Sequence, residues 1–182
     1  MTRFVYSTFV GLIGAAIVHL LIIFLLPTLS TIKSWNFILE NADAFQPTEI
    51  LVNSLDENQN YSLDPLFRHF VCRYDLSEGA VKVTATTSDI FWSLAVFDSI
   101  GTTIFSANDR IAANSQIDLA VLNPKQLRFV RQNSPEETSA SLIASATTDQ
   151  GFILIRAFVP DSSWQPAASK ILETMECSTL EF

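Results

Sequence analysis

The chain opens with an unbroken apolar run from Phe4 to Leu26 that contains no Asp, Glu, Lys or Arg. A helix of about 20 apolar residues crosses the hydrocarbon core of a bilayer, so the run predicts a transmembrane anchor within residues 1–30. A cleaved signal peptide is the alternative, but its apolar core would be only about 7–15 residues long. We therefore expect an uncleaved, single-pass anchor.

A short amphipathic segment follows the apolar run. Pro27 is predicted to end or bend the membrane helix, and Ser34 is a suitable N-cap for a second helix. Trp35, Ile38, Ala42 and Phe45 then recur near one face. We expect residues 31–48 to form a connector helix, which lies either at the membrane interface or against the following domain.

From Phe70 the apolar positions alternate with a period of two, which is typical of half-buried strands. Turn residues around Gly79, Gly101 and Gly151 predict three hairpins. The predicted strands are 70–76, 80–86, 90–97, 102–107, 117–122, 141–147 and 152–159, and the predicted helices are 123–133 and 162–175. Residues 49–182 are thus expected to form a mainly β, extracytoplasmic domain, an antiparallel β-sandwich or partly closed barrel with two short helices.

The charged residues bear on which partners the protein binds and on how the apolar run is oriented in the membrane. The 182 residues carry a formal net charge of −8, which argues against nucleic acid as a partner, because nucleic-acid binding needs clustered Lys and Arg. Arg3 and the amino terminus precede the apolar run, whereas Lys33 follows it together with a domain of net negative charge. The positive-inside rule then favours a cytoplasmic N-terminus and a domain outside the cytoplasm.

Small side chains line part of the membrane run. Ser7, Gly11 and Ala15 are spaced by four, and Gly14 lies beside them. Such spacing lets two membrane helices approach closely, which predicts a homodimer or a partner-helix contact; ordinary membrane-helix composition is the alternative. His19 is the one ionisable side chain in the run, and it either handles protons or hydrogen-bonds a neighbouring helix.

Two cysteines, Cys72 and Cys177, are the only ones in the chain. A domain outside the cytoplasm with two cysteines predicts a disulfide between them. The alternative is that Cys72, on the apolar face of its strand, is a small core residue.

Polar residues concentrate around the central strand, at Asp98, Asn108, Asp109 and Arg110. If strands 90–97 and 102–107 pair, these residues are predicted to share one end of the sheet, where the Arg would bind a carboxylate or phosphate. The alternative is that Asp98 and Asp109 order turns. Trp92 is either a stacking platform for a glycan or a core residue.

No motif for catalysis, metal binding or cofactor binding is present, so we predict no cofactor and no metal. His69 is the only histidine outside the membrane run, and no Gly-x-Ser-x-Gly or His-Glu-x-x-His pattern accompanies it. A hydrolase that uses His69 is the remaining enzymatic hypothesis.

Several motifs resemble those of small bacterial membrane proteins that carry the domain of unknown function DUF1254. These motifs are Leu63-Asp64-Pro65-x-Phe67, Cys72-Arg73-Tyr74-Asp75-Leu76, Phe91 to Asp98, Asn108-Asp109-Arg110, Gln150-Gly151-Phe152-x-x-x-Arg156-Ala157 and Pro160-Asp161-x-x-Trp164. The central strand is also similar to part of DUF1214, found in larger companion proteins. The resemblance implies a single-pass protein of the inner (plasma) membrane with a β-rich periplasmic domain, and it implies no established activity.

Three functions remain as hypotheses. The leading one is a membrane-tethered, non-enzymatic domain that binds a protein partner, such as a larger companion of related fold. The second is a module that binds a glycan or lipid through Trp92 and Arg110. The third is the hydrolase that uses His69.

Overall fold

The computed structural model describes residues 2–51, 63–87, 90–111, 115–133 and 141–180, and of residues 27–33 it describes only the helical backbone. The side chains of Pro27 and Lys33, which entered the predictions above, lie outside this description.

A single helix, α1, runs from Thr2 to Asn41 and has 40 residues, about 60 Å at 1.5 Å per residue. Its segment Thr2–Leu26 is long and apolar enough to cross a membrane, with a mean hydropathy of 2.8. The predicted helix end at Pro27 and the separate helix from Ser34 are wrong, because α1 continues through both residues. A proline removes only one helical hydrogen bond. Packing of the last turns of α1 stabilises the helical conformation of the residues after Pro27.

Nine strands follow α1, and two further α-helices lie among them. The strands are β1 (Pro47–Ile50), β2 (Phe67–Asp75), β3 (Ala80–Thr86), β4 (Trp92–Asp98), β5 (Thr103–Asn108), β6 (Gln116–Leu122), β7 (Leu142–Ser145), β8 (Gln150–Phe158) and β9 (Glu176–Leu180), and the helices are α2 (Pro124–Asn133) and α3 (Gln165–Thr174). A 3-10 turn, Ser162–Trp164, precedes α3.

The strands form two sheets that face each other across the core. Sheet A has the order β1-β2-β8-β4-β5 and is antiparallel throughout. Sheet B has the order β7-β6-β3-β9, and its β6 and β7 are parallel. The predicted mainly β fold with an N-terminal apolar helix is confirmed, in the form of a sandwich with open edges.

Only one of the three predicted hairpins forms, the β4–β5 pair around Gly101. The turn at Gly79 instead carries the chain from sheet A to sheet B, and β7 and β8 likewise belong to different sheets. Alternation reports which face of a strand is buried, not which strand lies beside it, and this explains the two errors. Gly151 lies in β8, where an added Cβ would meet the Phe97 carbonyl and the Tyr74 hydroxyl.

The core between the sheets contains side chains that alternation predicted, among them Phe70, Tyr74 and Val83, and it also contains Trp92. Cys72 and Cys177 form a disulfide, and their Cα atoms are 6.4 Å apart. The bond joins β2 of sheet A to β9 of sheet B, so the predicted pairing is confirmed.

Each sheet is also packed on its outer face by a helix. Val130 of α2 packs with Ala80, Ala120 and Leu122 on the outside of sheet B. The predicted start of α2 is confirmed, because the Asn123 side chain accepts hydrogen bonds from the backbone N–H groups of Lys125 (3.0 Å) and Gln126 (2.9 Å). The end of α1 packs on sheet A through a separate cluster, which consists of Ile38, Ala42, Ile50, Val71 and Phe152, with Trp35 against it.

Candidate functional site

Asp98, the first predicted site residue, orders a turn. Its carboxylate accepts hydrogen bonds from the backbone N–H groups of Ile100 (3.1 Å) and Thr102 (2.7 Å). It is 7% exposed. The Tyr74 hydroxyl lies nearby and donates to the Phe97 carbonyl (3.0 Å). Burial, with a smaller contribution from Asp98, raises the pKa of Tyr74. Because the Asp98 carboxylate bonds two backbone N–H groups of the turn, the interpretation of Asp98 as a turn residue is correct.

Asn108, Asp109 and Arg110 lie at the opposite end of the β4–β5 hairpin. Asn108 pairs with Ser93 at the open end of the hairpin. Asp98 lies at the other end, next to the turn, where Phe97 pairs with Thr103. Five residues separate Ser93 from Asp98 along β4, about 17 Å at 3.4 Å per residue. The prediction that these polar residues share one end of the sheet is thus wrong, because antiparallel pairing places the two ends of a hairpin apart.

Trp92 belongs to the core rather than to a binding surface. Its side chain is 1% exposed and lies in the cluster between the two sheets. A flat sugar ring needs an accessible aromatic face for stacking, so Trp92 does not provide the predicted glycan platform.

His69 lies on the outer face of sheet A and is 5% exposed. Burial and the charge of Arg156 lower the pKa of His69, whereas Asp64 acts in the opposite direction. Among the described residues, its Nδ1 has no hydrogen-bond partner, and no Ser or Asp side chain hydrogen-bonds the ring. A nucleophile–base pair requires such a contact, so the described residues assemble no hydrolase site at His69.

A polar row crosses the outer face of sheet A beside His69. The strand register places Arg156 of β8 next to His69, Ser93 of β4 next to Arg156, and Asn108 of β5 next to Ser93. The Arg156 guanidinium lies over the Phe67 ring, with 5.9 Å between the guanidinium carbon and the ring centroid. This row, His69–Arg156–Ser93–Asn108, is called the polar row below.

Strand β5 is an edge of sheet A, because its only strand partner in the described structure is β4. Its sequence, Thr-Ile-Phe-Ser-Ala-Asn, has no charged residue and no proline. Edge strands commonly carry such residues, which discourage pairing with other chains. The other edge, β1, contains Pro47 and Glu49. A bulge between Val96 and Phe97 disturbs only the turn end of β5.

One polar network was not predicted from the sequence, and it connects β2 to β1 and α3. Arg68 donates from Nε to Glu49 Oε1 (2.6 Å) and from Nη2 to Oε2 (2.7 Å), and its Nη1 donates to Ser169 Oγ (2.7 Å). Partners so far apart in the sequence produce no local pattern. In the described structure, Arg68 contacts only other residues of the domain, so we assign this network to the fold.

The small residues of α1 lie on an exposed helix. An added Cβ at Gly11 or Gly14 would meet nothing within 4 Å, and Ser7 and Ala15 are also exposed. A helix contact through these residues, and any role of His19, stay predictions.

Comparison with protein families identifies the class of protein. Residues 68–179 match the model of the family described as "Protein of unknown function (DUF1254)". The chain belongs to this family. A search of curated proteins finds no match.

Solved structures that resemble the chain include two of low sequence identity. The VPA0106 protein from Vibrio parahaemolyticus has a TM-score of 0.62 and 11% identity, and the match covers 83% of this chain and 35% of that one. An uncharacterised protein from Burkholderia cenocepacia has a TM-score of 0.49 and 12% identity, with coverage of 85% and 41%. The chain therefore spans well under half the length of both proteins, and the first likeness supports the fold alone.

Proposed function

We propose that the protein is a non-enzymatic, single-pass membrane protein of the bacterial envelope whose β domain binds a protein partner through edge strand β5. The observation that carries the proposal is the uncharged, proline-free edge formed by Thr103–Asn108. An edge strand presents unpaired backbone N–H and C=O groups, to which an extended segment of another chain adds as a further strand.

The proposed location is the inner membrane, with the N-terminus in the cytoplasm and the domain in the periplasm. The apolar segment Thr2–Leu26 supports an anchor, and the Cys72–Cys177 disulfide supports an oxidising compartment. A tethered domain meets partners in or near the same membrane. The first partner to test is a larger companion of related fold, and a second copy bound through the α1 small residues is the alternative.

Purification of the tagged full chain from its native membranes in mild detergent tests the proposal. We expect a co-purifying protein with the wild type, and at least a tenfold loss of it with Ser106→Lys, because a Lys on an edge strand discourages pairing. Ser106 is exposed on β5. Ser145→Lys is the matched control, since Ser145 is exposed on β7, an edge of sheet B.

Two results would contradict partner binding through β5. One is a wild-type chain that repeatedly purifies alone. The other is a partner that Ser106→Lys retains as well as Ser145→Lys does. If a second copy of the chain is the only bound protein, the companion is excluded as the partner. The edge-strand mechanism then holds only if Ser106→Lys reduces the amount of the bound second copy.

A further inference from the structure

Arg156 is a cation without a carboxylate partner in the described structure. The two salt bridges there join Arg68 to Glu49 and Lys82 to Asp118. Arg156 is exposed on the outer face of sheet A, and its guanidinium lies over the Phe67 ring. In a chain with a net charge of −8, an unpaired Arg held over an aromatic ring is positioned to receive an anion from outside.

Two uncharged donors lie beside Arg156 on the neighbouring strands. Ser93 is its register partner on β4, and Asn108 is the register partner of Ser93 on β5. The Asn108 Oδ1 accepts the backbone N–H of Arg110 (3.2 Å), which leaves the amide N–H groups of Asn108 as donors. Strands are about 4.8 Å apart, so the three side chains begin within about 10 Å.

On the other side of Arg156 lies His69, whose buried Nδ1 has no hydrogen-bond partner in the part of the chain that the structure describes. The charged groups that act on its ring are Arg156 from β8 and Asp64 from the segment before β2, while its neighbour on β1 is the apolar Ile50. An anion bound to Arg156 would offset the positive charge that disfavours the imidazolium. His69 therefore reports on the occupancy of the polar row.

We propose that the polar row binds a phosphate group, with Arg156, Ser93 and Asn108 as donors to its oxygens. An Arg guanidinium binds phosphate through two parallel hydrogen bonds, and a phosphate retains further oxygens for other donors. The phosphate belongs either to a soluble ligand or to a lipid headgroup. This site does not depend on partner binding at β5.

Histidine NMR of the full chain tests the site, because only His19 and His69 contribute ring signals. The detergent-solubilised chain, labelled at histidine, is titrated with sodium phosphate at fixed pH and fixed ionic strength. We expect a saturable shift of the His69 signal toward its protonated position. A His19→Gln variant assigns the signal, and sodium chloride alone should leave the signal in place.

Substitutions in the row distinguish binding from a general salt effect. Arg156→Gln should abolish the shift, and Asn108→Asp should weaken phosphate binding at least tenfold by adding a negative charge to the row. Arg128→Gln, an exposed site on α2 outside sheet B, should bind as the wild type does. Absence of the shift in the wild type, or an equal shift in Arg156→Gln, would overturn the proposal.

The same signal separates the two phosphate sources. In nanodiscs without added phosphate, a His69 shift that needs anionic phosphatidylglycerol and disappears in Arg156→Gln would identify a lipid headgroup. A shift that appears only when inorganic phosphate is added would identify a soluble ligand. Both experiments use the chain without a protein partner and leave Ser106 unchanged, so the site and the partner proposal fail or succeed separately.

Discussion

The outer faces of the two sheets differ in how they are covered. On sheet B, α2 packs Val130 against the small and aliphatic side chains Ala80, Ala120 and Leu122, all of them buried. On sheet A, the last turns of α1 cover Val71 and Phe152, while Phe91 is 45% exposed and Arg156 is also exposed. In the described structure, α2 thus packs one end of the outer face of sheet B, and the partly exposed Lys82–Asp118 ion pair lies beyond it. Sheet A leaves Arg156 exposed beside β5, an edge strand that has no charged residue and no proline.

Both proposed binding surfaces, the polar row and the β5 edge, belong to sheet A. A face covered by the chain's own helix contributes buried apolar area, but it leaves little surface for another molecule. A face covered only in part keeps polar and aromatic side chains accessible. The helix that packs on sheet A, α1, is also the one that contains the apolar segment Thr2–Leu26.

The largest expected effect comes from breaking the bond that joins the sheets. Cys72→Ala/Cys177→Ala removes a disulfide between residues 105 positions apart. In the chain-entropy model, closing such a loop contributes about 4–5 kcal/mol to the free energy of unfolding. We expect a loss of that order in chemical denaturation followed by tryptophan fluorescence. Reduction of the wild type should reproduce the loss, and equal stability of both forms would contradict the structural role of the bond.

A smaller loss is expected when a side chain is added between strands of sheet A. In Gly151→Ala, the new Cβ meets the Phe97 carbonyl and the Tyr74 hydroxyl. Overpacking of this kind costs about 1–3 kcal/mol in the free energy of unfolding. Tyr74→Phe removes the hydroxyl, so the double variant should lose less than the sum of the single changes. A fully additive double variant would show that Tyr74 does not constrain Gly151.

Removing one buried side chain from each covering helix compares the two faces directly. Ile38→Ala and Val130→Ala should each lower the free energy of unfolding by about 2 kcal/mol through lost contacts and a cavity. Amide hydrogen exchange should differ between them. Ile38→Ala should speed exchange in β1 and β2 of sheet A, whereas Val130→Ala should speed it in α2 and β6. Identical exchange patterns would contradict separate packing of the two faces.

The smallest effect is a pH dependence that arises at His69. Because burial and Arg156 lower the pKa of His69 below its ordinary value of 6.5, the unfolded chain takes up the proton first as pH falls. Stability from this group is complete above about pH 6.5 and declines below it. Between about pH 7.5 and 5.5, the denaturation midpoint should fall further in the wild type than in His69→Gln. Equal pH dependence would exclude this linkage, and His19→Gln serves as the control.

Much of the fold was predictable because local patterns reflect burial. The alternation around Phe70 and Val83 identified core-facing positions, and Asn123-Pro124 identified the start of α2. Which strands lie beside each other in the two sheets was not predictable from such local patterns. The parallel β6–β7 contact and the exchange of sheets at Gly79 depend on packing between distant segments.

The candidate site was predicted less well, for a related reason. Asn108 was singled out correctly as a polar strand-end residue, but it was grouped with Asp98 instead of with Ser93 and Arg156. Those two residues lie far from it in the sequence and meet it only through register. Trp92 was an equally ambiguous signal, because an aromatic residue in a strand is compatible with core and surface alike.

Photo-crosslinking in intact cells tests most directly whether the side of the molecule formed by sheet A is the binding side. A photoreactive amino acid is placed at Ser106 on β5 in one variant and at Ser145 on β7 in another. The account predicts a discrete crosslinked product of one mass from position 106 and none of that mass from position 145. Equal products from both positions, or a product from position 145 alone, would contradict it.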